Sequence, residues 1–291
     1  MWYPGIVNSI IKIGVLAPHL YFLPATKHWW INFVFALILL TLLHIPNTGW
    51  AEENYFQIIN DLSTPVNSDF TRDRGYAVFV SYEGKKFLMD TGVSENSLSK
   101  NMNAAGITLQ DLDFVFISHK HFDHKGGLGF IRRERPSLPI YIPPGGGFSN
   151  PEKLIEVNDY LKVGPNVFLI HTHNSISGVT DELSLLIKTN KGPYVFNACS
   201  HTGITKILEK SKRVAGQDIY FHSGGTQLNR AINKLTIQET VNKIKAQRVS
   251  QVSPSHCSTA DRVREIYKEI FNTNYIGSQL GQKISLESNT N

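Results

Sequence analysis

Cysteine is scarce in this sequence: only Cys199 and Cys257 occur among 291 residues. This scarcity excludes a framework of several disulfides, although an exported chain could still form one bond from the pair. Each cysteine stands close to a histidine, in Cys199-Ser200-His201 and in His256-Cys257. That placement favours the wall of a functional site as much as it favours a disulfide.

Long runs of one charge are also absent. The sequence carries 29 Lys and Arg against 24 Asp and Glu, a formal net charge of +5, with no block of consecutive basic residues. This diffuse excess is typical of a solvated basic surface, so we expect no nucleic-acid partner. With 41% hydrophobic residues and no internal repeat, the composition is that of a globular protein with a buried core.

The first 51 residues contain no acidic residue. The apolar run after Lys27 is densest over residues 33–43, which is shorter than the ~20 apolar residues that a bilayer span needs. A positive charge, a short apolar run and small residues are typical of a secretory signal peptide, cleaved here before Glu52. The alternative is an uncleaved N-terminal membrane anchor. We therefore expect residues 1–51 to engage the membrane during export, and residues 52–291 to form an exported domain that is periplasmic or anchored to the inner membrane.

From Glu52 onward, apolar runs alternate with helix-like segments. Two such runs flank Glu83-Gly84 and predict a β-hairpin over residues 75–90. Further strands are predicted over residues 113–118, 167–170, 183–187, 194–196, 218–221 and 248–252. Helices are predicted over residues 149–161 with Asn150 as N-cap, 206–215 ending at Gly216, 236–247 with a Thr236/Glu239 capping box, and 261–271. Strands interleaved with helices indicate an α/β fold in layers.

Histidines follow three of these strands. His119, His121 and His124 come after the strand predicted over 113–118, His201 after the strand over 194–196, and His256 after the strand over 248–252. Functional sites in α/β sheets collect where strands end in loops. If residues 119–124 were only a solvated polar loop, histidines would not be expected at the ends of two other strands as well. The shared position after a strand therefore favours a functional site.

The stretch SHKHFDHKGG, residues 118–127, carries the pattern H-x-H-x-D-H. His119 and His121 alternate and can point to one side, whereas the adjacent Asp123 and His124 face a second direction. One short loop can therefore offer two ligands to each of two metal ions, with His201 and His256 as candidates to complete the sets. Imidazole and carboxylate ligands suit zinc above all, or iron or manganese. Two such ions could hold a hydroxide and orient a substrate for hydrolysis.

The same residues resemble the signature of the metallo-β-lactamase superfamily. The closer similarity is to the branch of proteins like 7,8-dihydropterin-6-methyl-4-(β-D-ribofuranosyl)aminobenzene-phosphate synthase. Four stretches carry it: FLMDTG with Asn101 and Gly106-Ile107, SHKHFDHKGGL, NACSHTGI and PSHCST. The chain departs from the branch at Gln227, where the branch has a histidine.

This resemblance implies a four-layer αβ/βα sandwich and a metal-dependent, hydrolase-like site. It implies metal ligands at His119, His121, Asp123, His124, His201 and His256. Asp123 is also the implied catalytic residue, which can orient the attacking water or take a proton. Superfamily members with di-iron redox chemistry tend to place a carboxylate at the second signature position, so His121 favours hydrolysis over electron transfer.

Other residues near these motifs have simpler explanations. We expect Asp90 to hold a ligating histidine rather than to bind metal itself, and Cys199 to pack under His201 unless it is a ligand. His171 and His173 are expected in a polar loop, and His222 is expected to be a satisfied histidine at a strand end.

Three hypotheses follow for the function. The first is an exported hydrolase that uses one or two zinc ions, with iron or manganese as alternatives, on a small-molecule ester, phosphate ester or lactone. The second is a metal-dependent synthase or transferase acting on a phosphorylated pterin-like precursor. The third is a non-catalytic metal-binding protein of the cell envelope.

Overall fold

The chain was analysed as a computed structural model, which describes residues 53–63, 65–145, 147–148, 153–231 and 233–287. The predicted signal segment and its boundary lie outside the described residues. The strands in the described part are β1 Tyr55–Asn60, β2 Ala77–Tyr82, β3 Lys85–Met89, β4 Phe114–Phe116, β5 Ile140–Ile142, β6 Ile155–Glu156, β7 Tyr160–Lys162, β8 Val167–His173, β9 Asp181–Thr189, β10 Gly192–Asn197, β11 Phe221–Gly224, β12 Gln251–Pro254 and β13 Lys283–Ser285. The helices there are α1 Glu95–Ala104, α2 Phe122–Lys125, α3 Leu128–Glu134, α4 Ile204–Ala215, α5 Lys234–Ala246 and α6 Asp261–Phe271. Short 3₁₀ turns occupy Leu109–Asp111, His256–Ser258 and Asn272–Asn274.

The strands form two sheets. The first has the order β13-β1-β2-β3-β4-β5-β6, and the second has the order β12-β11-β10-β9-β8-β7. Strands β3 to β6 run parallel in the first sheet, and β10, β11 and β12 run parallel in the second. Parallel neighbours bring their carboxyl ends to the same edge of a sheet, which is where loops can build a site.

Three apolar clusters define four layers. One cluster, which includes Phe56, Phe87 and Phe196, lies between the two sheets. A second joins the outer face of the first sheet to α1 and α3, and a third joins the outer face of the second sheet to α4, α5 and α6. The four-layer αβ/βα sandwich predicted from the sequence is confirmed. Across the parts of the chain that the structure describes, no helix has both the length and the apolar character that a bilayer crossing requires.

Elements with strong local signals were predicted well. The predicted hairpin is formed by β2 and β3, and its turn lies at Glu83 and Gly84. The φ values of these two residues, 47° and 74°, suit a tight turn between antiparallel strands. Helix α4 ends at Gly216, whose φ of 79° is a left-handed conformation that favours glycine. Helix α6 spans the predicted residues.

The helix predicted over residues 149–161 is wrong where the structure describes it, and residues 149–152 lie outside the described part. Ile155–Glu156 instead forms β6, which pairs with β5, and Tyr160–Lys162 forms β7, which pairs with β8. Leu154 and Val157 belong to clusters on opposite faces of the first sheet. Their spacing of three imitates a helical stripe, but the chain here passes from one sheet to the other.

Three smaller predictions also need correction. Helix α5 begins at Lys234, and Asn233 caps it by accepting the N–H of Thr236 at 2.9 Å, so the Thr236/Glu239 capping box is wrong. The strands predicted over 218–221 and 248–252 begin later, at Phe221 and Gln251. The shift carries both strands further toward the edge where the histidine-bearing loops lie.

Candidate metal centre

The H-x-H-x-D-H loop follows β4 directly. His119 is buried, His121 stands at the N-terminus of the single helical turn α2, and Asp123 and His124 lie within that turn. The ring atoms Nε2 of His119 and Nδ1 of His121 approach to 3.1 Å. The loop therefore points two imidazole nitrogens at one position while α2 turns Asp123 and His124 elsewhere.

Glycine allows the close approach of backbone that holds this loop. A Cβ on Gly126 would lie 2.1 Å from the carbonyl oxygen of Val93, so no larger residue fits there. Gly75 has a φ of +106°, and a Cβ on it would lie 2.2 Å from the carbonyl oxygen of Asp123. The neighbouring Tyr76 N–H donates to the same oxygen at 3.1 Å. These contacts hold the loop that carries the donors against the residues directly before β2.

Asp90 organises the hydrogen bonds behind the loop. Its buried carboxylate accepts the backbone N–H of Ser118 at 2.6 Å, the Ser118 hydroxyl at 2.7 Å and Nδ1 of His124 at 2.7 Å. Because a carboxylate only accepts, His124 carries its proton on Nδ1 and keeps the lone pair on Nε2. The Ser118 oxygen in turn accepts from Nδ1 of His119 at 2.9 Å, which frees the Nε2 lone pair of His119. The predicted contact between Asp90 and a histidine of the site is confirmed.

His201 reaches the loop from β10 in the second sheet. Ser200 and Gly203 on either side have φ values of 70° and 106°, so the chain turns sharply there. The buried carboxylate of Glu182 accepts the N–H of Thr202 at 2.7 Å and its hydroxyl at 2.9 Å, and burial raises the pKa of Glu182. These bonds anchor the backbone that carries His201.

His256 follows β12 in a conformation with a φ of 50°. Its backbone N–H donates to Asp61 at 3.3 Å, and its ring lies 5.4 Å from that of Tyr76. The Nε2 atom of His256 lies 3.9 Å from an oxygen of Asp123. Asp61 also accepts the N–H of Leu62 at 2.6 Å, and burial raises its pKa.

The six predicted ligands come together in the structure. His119, His121 and His201 form one group whose ligand atoms lie within 4.8 Å of one another, and Asp123, His124 and His256 form another. His119, His124 and Cys199 make a third, overlapping group. Nitrogen donors with one carboxylate or thiol fit zinc in particular, and iron and manganese accept nitrogen and carboxylate donors as well.

Burial favours the neutral form of His119, His201 and His256, which is the form that binds metal. The pKa values of His119 and His256 are lowered well below the usual value, first by burial and then by the neighbouring His124. Burial and the neighbouring His121 lower the pKa of His201 to about 4. At neutral pH these lone pairs are free of protons.

Five of the six donors, all except His119, line a cavity of about 670 Å³. Both cysteines are free and line it as well, so they form part of its wall and no disulfide. The Cys199 sulfur lies 3.5 Å from Nε2 of His124, and the Cys257 sulfur accepts the N–H of Gln227 at 3.2 Å. The side-chain nitrogen of Gln227 lies 3.3 Å from Nε2 of His201.

Sequence reasoning missed Asp61, which lines the cavity beside His256. The only feature of the sequence that could have indicated Asp61 is its position directly after the apolar strand β1. The histidines of the site follow strands in the same way. His171 and His173 lie at the end of β8 rather than in a loop, and both contact Asp181 at 2.9 Å. His222 is buried and bonds Asn197 at 2.6 Å, as expected for a satisfied histidine.

Residues 70–198 match the model of the metallo-beta-lactamase superfamily. This range contains the H-x-H-x-D-H loop and the strands β2 to β10. Over these residues the chain is similar to the metallo-beta-lactamase superfamily, and its fold is the one found in structures of that superfamily.

A curated relative points to a branch of this superfamily. The 7,8-dihydropterin-6-methyl-4-(beta-D-ribofuranosyl)-aminobenzene-5'-phosphate synthase of Methanocaldococcus jannaschii is 26% identical over 262 residues. The aligned region covers 72% of this chain and 88% of that protein. The likeness therefore extends over most of both chains and agrees with the branch that the sequence motifs resemble.

Solved structures share the fold. Tm1679, described as a metal-dependent hydrolase of the beta-lactamase superfamily, superposes with a TM-score of 0.69 at 24% identity, covering 81% of this chain and all of its own. The metallo-beta-lactamase fold protein YhfI from Bacillus subtilis gives a TM-score of 0.59 at 15% identity, with coverages of 81% and 100%. At these identities the likeness establishes the fold alone.

Proposed function

We propose that this chain is a metal-dependent hydrolase acting on a small ester, phosphate ester or lactone. The observation that carries the proposal is the convergence of two donor groups, His119/His121/His201 and Asp123/His124/His256, at one cavity that every donor except the buried His119 lines. Bound zinc, iron or manganese in such a site polarises a carbonyl or phosphoryl oxygen and lowers the pKa of water.

The protein's own residues supply the rest of the chemistry. Asp90 presents the lone pairs of His119 and His124, as described above, and Glu182 anchors the loop of His201. Asp123 is the partly exposed acid of the donor groups, with 21% of its side chain accessible. Its two oxygens face His124 and His256 at 3.9 Å each, so one oxygen can bind metal while the other orients water or takes its proton.

The test is a screen of the metal-loaded full chain against aryl esters, phosphodiesters and lactones. We expect turnover of at least one class and a loss of roughly 100-fold or more in kcat/KM for His121→Ala, because that variant removes a donor. His173→Ala, at an exposed histidine outside the donor groups, is the matched control and should keep full activity. Equal rates for wild type and His121→Ala on every substrate would instead favour the non-catalytic metal-binding alternative.

A synthase or transferase is the second candidate, and the 26% identity to the Methanocaldococcus jannaschii synthase favours it. The same donor groups could bind a phosphorylated pterin-like precursor. Incubation with such a precursor distinguishes the two. Product formation, together with failure to turn over simple esters, would support the synthase over the hydrolase.

Export remains part of the proposal and is supported by the sequence of residues 1–51. The charge pattern there predicts cleavage before Glu52 and a periplasmic protein. N-terminal sequencing of the protein recovered from the envelope tests this directly. A mature chain that starts at Glu52 agrees with a signal peptide, whereas an intact N-terminus in the membrane fraction indicates an anchor and contradicts cleavage.

A further inference from the structure

Two arginines line the cavity that holds the candidate metal centre. Arg74 immediately precedes Gly75 and β2, and its Nε lies 3.9 Å from an oxygen of Asp123. Its side chain is 69% exposed. Arg230 lies between β11 and α5, is exposed, and has no carboxylate within ion-pair distance among the described residues. Both guanidinium groups are therefore accessible to a ligand in the cavity.

The acidic residues of the cavity wall do not neutralise these arginines. Asp61 is buried, and its oxygens accept backbone N–H groups. Asp123 belongs to a donor group of the candidate metal centre. The rim of the cavity thus carries Arg230, which has no ion-pair partner among the described residues, and Arg74, whose neighbouring carboxylate belongs to a donor group, and this distribution of charge favours an anionic ligand.

The arginines flank the two donor groups separately. Arg74 lies beside Asp123, in the group with His124 and His256. Arg230 lines the cavity together with His121, in the other group. His119 and His124 are fully buried, whereas the arginines are exposed. The positive charges therefore lie at the rim, and the buried donors His119 and His124 lie at the floor.

Apolar side chains complete the rim. Leu62 and Phe122 line the same cavity and are 51% and 66% exposed. Large apolar side chains left in contact with water at a cavity mouth favour a ligand with an apolar body. The rim therefore combines an apolar surface with two guanidinium groups.

We infer that the substrate is an ester with an apolar body and a separate phosphate monoester, which Arg74 and Arg230 bind at the rim and which is not cleaved. Guanidinium groups form forked hydrogen bonds with phosphate oxygens, and two arginines from different segments can divide those oxygens between them. The ester bond then lies toward the donors at the floor. This inference rests on the proposed hydrolase function.

The experiment uses two matched aryl esters that share a leaving group and an apolar body. One carries a phosphate monoester at its far end and the other a hydroxyl group. For the metal-loaded wild type we expect kcat/KM to favour the phosphorylated ester by roughly tenfold or more, mainly through KM. No inorganic phosphate should be released, and added salt should reduce the preference because the arginines are exposed.

Arg74→Gln and Arg230→Gln should each reduce this preference, and the double variant should abolish it, where the preference is the ratio of the kcat/KM values that one variant shows on the two esters. Arg248→Gln is the matched control, because Arg248 is exposed and precedes β12, at the opposite end of that strand from His256. Metal content of every variant confirms an intact centre. Equal rates on the two esters, an unchanged preference in the double variant, or release of inorganic phosphate would each overturn the inference.

Failure of the proposed function gives a different result. If neither ester is turned over, calorimetry measures binding of the phosphorylated ester to the metal-loaded wild type and to the double variant. Affinity that falls roughly tenfold in the double variant supports the phosphate site even though the hydrolase proposal fails. Equal affinity, or no binding to either protein, overturns the inference as well.

Discussion

At the scale of single residues, Asp90 connects the fold to the candidate metal centre. It accepts three hydrogen bonds, two from Ser118 and one from His124, and through Ser118 it also orients His119. Its φ of 61° places it in the left-handed region that aspartate and asparagine tolerate. Asn in place of Asp90 is therefore compatible with the backbone and tests the carboxylate alone.

Asp90→Asn should lower zinc affinity by roughly 10–100-fold. The asparagine NH2 group only donates, so it faces either the Ser118 N–H or both the Ser118 hydroxyl and His124 Nδ1, and the bonds to that side of the network are lost. Competition with a zinc chelator measures the affinity. Asp159→Asn, at an exposed aspartate paired with Lys210, is the control and should bind as wild type. Unchanged affinity in Asp90→Asn would show that the network does not support ligation.

His222 makes the stability of the fold depend on pH. Burial lowers its pKa from 6.5 to about 4, and it donates to Asn197. In the unfolded chain the His222 imidazole is protonated below about pH 6.5, whereas in the folded chain it is protonated only below about pH 4. The free energy of unfolding therefore decreases as the pH falls from 6.5 to 4. The contribution of His222 to that loss is about 3 kcal/mol.

Urea unfolding of the metal-free protein between pH 7 and 4 measures this linkage. His222→Gln should show a smaller fall in the free energy of unfolding than wild type, whereas His173→Gln, at an exposed histidine, should follow the wild-type curve. Parallel curves for wild type and His222→Gln would contradict the assignment.

The sequence identifies many residues of the site but not all of them. The six donors were predicted from one dense motif and two strand-end histidines, and the structure brings them together. Asp61 was missed because a lone aspartate after β1 has no motif around it. Its position beside His256 arises from the pairing of β1 with β2 and from a hydrogen bond to a residue 195 positions away.

At the scale of elements, the start of β2 sets the position of the donor loop. Gly75 packs on the carbonyl of Asp123, where a Cβ would lie at 2.2 Å. Gly75→Ala should destabilise the protein by more than about 2 kcal/mol and weaken metal binding, because the donor loop must move and the φ of +106° is also strained.

Gly216→Ala is the matched control for that prediction. Gly216 also has a positive φ, of +79°, but open space surrounds the position of its Cβ. We expect a loss of only about 1–2 kcal/mol and unchanged metal affinity. Thermal unfolding measures the stability of both variants, and competition with a chelator measures their metal affinity. Equal effects of the two substitutions would mean that contact with Asp123 contributes nothing.

Elements are predictable from sequence where local chemistry decides them. The turn at Glu83-Gly84 and the end of α4 at Gly216 depend on neighbouring residues alone, and both were predicted. The segment around Ile155 was not, because its conformation depends on pairing with β5 and β8 in different sheets. Such pairing partners override the local periodicity that suggested a helix.

At the scale of the whole molecule, the sandwich brings the ends of distant strands together. The loops after β4, β10 and β12 contribute donors from both sheets to one cavity, and the loop after β3 contributes Asp90 behind them. Because each donor group draws on two segments distant in sequence, the candidate centre forms only when the two sheets pack. Metal binding should therefore also stabilise the folded chain.

The most direct test is the metal content of the full chain, purified without an affinity tag or chelator and measured by elemental analysis. We predict two equivalents of metal per chain, with a loss in His119→Ala and in His256→Ala, which disrupt different donor groups. His173→Ala should retain both equivalents. A folded protein that contains no metal, and takes none up from zinc, iron or manganese, would contradict the metal centre and the hydrolase proposed from it.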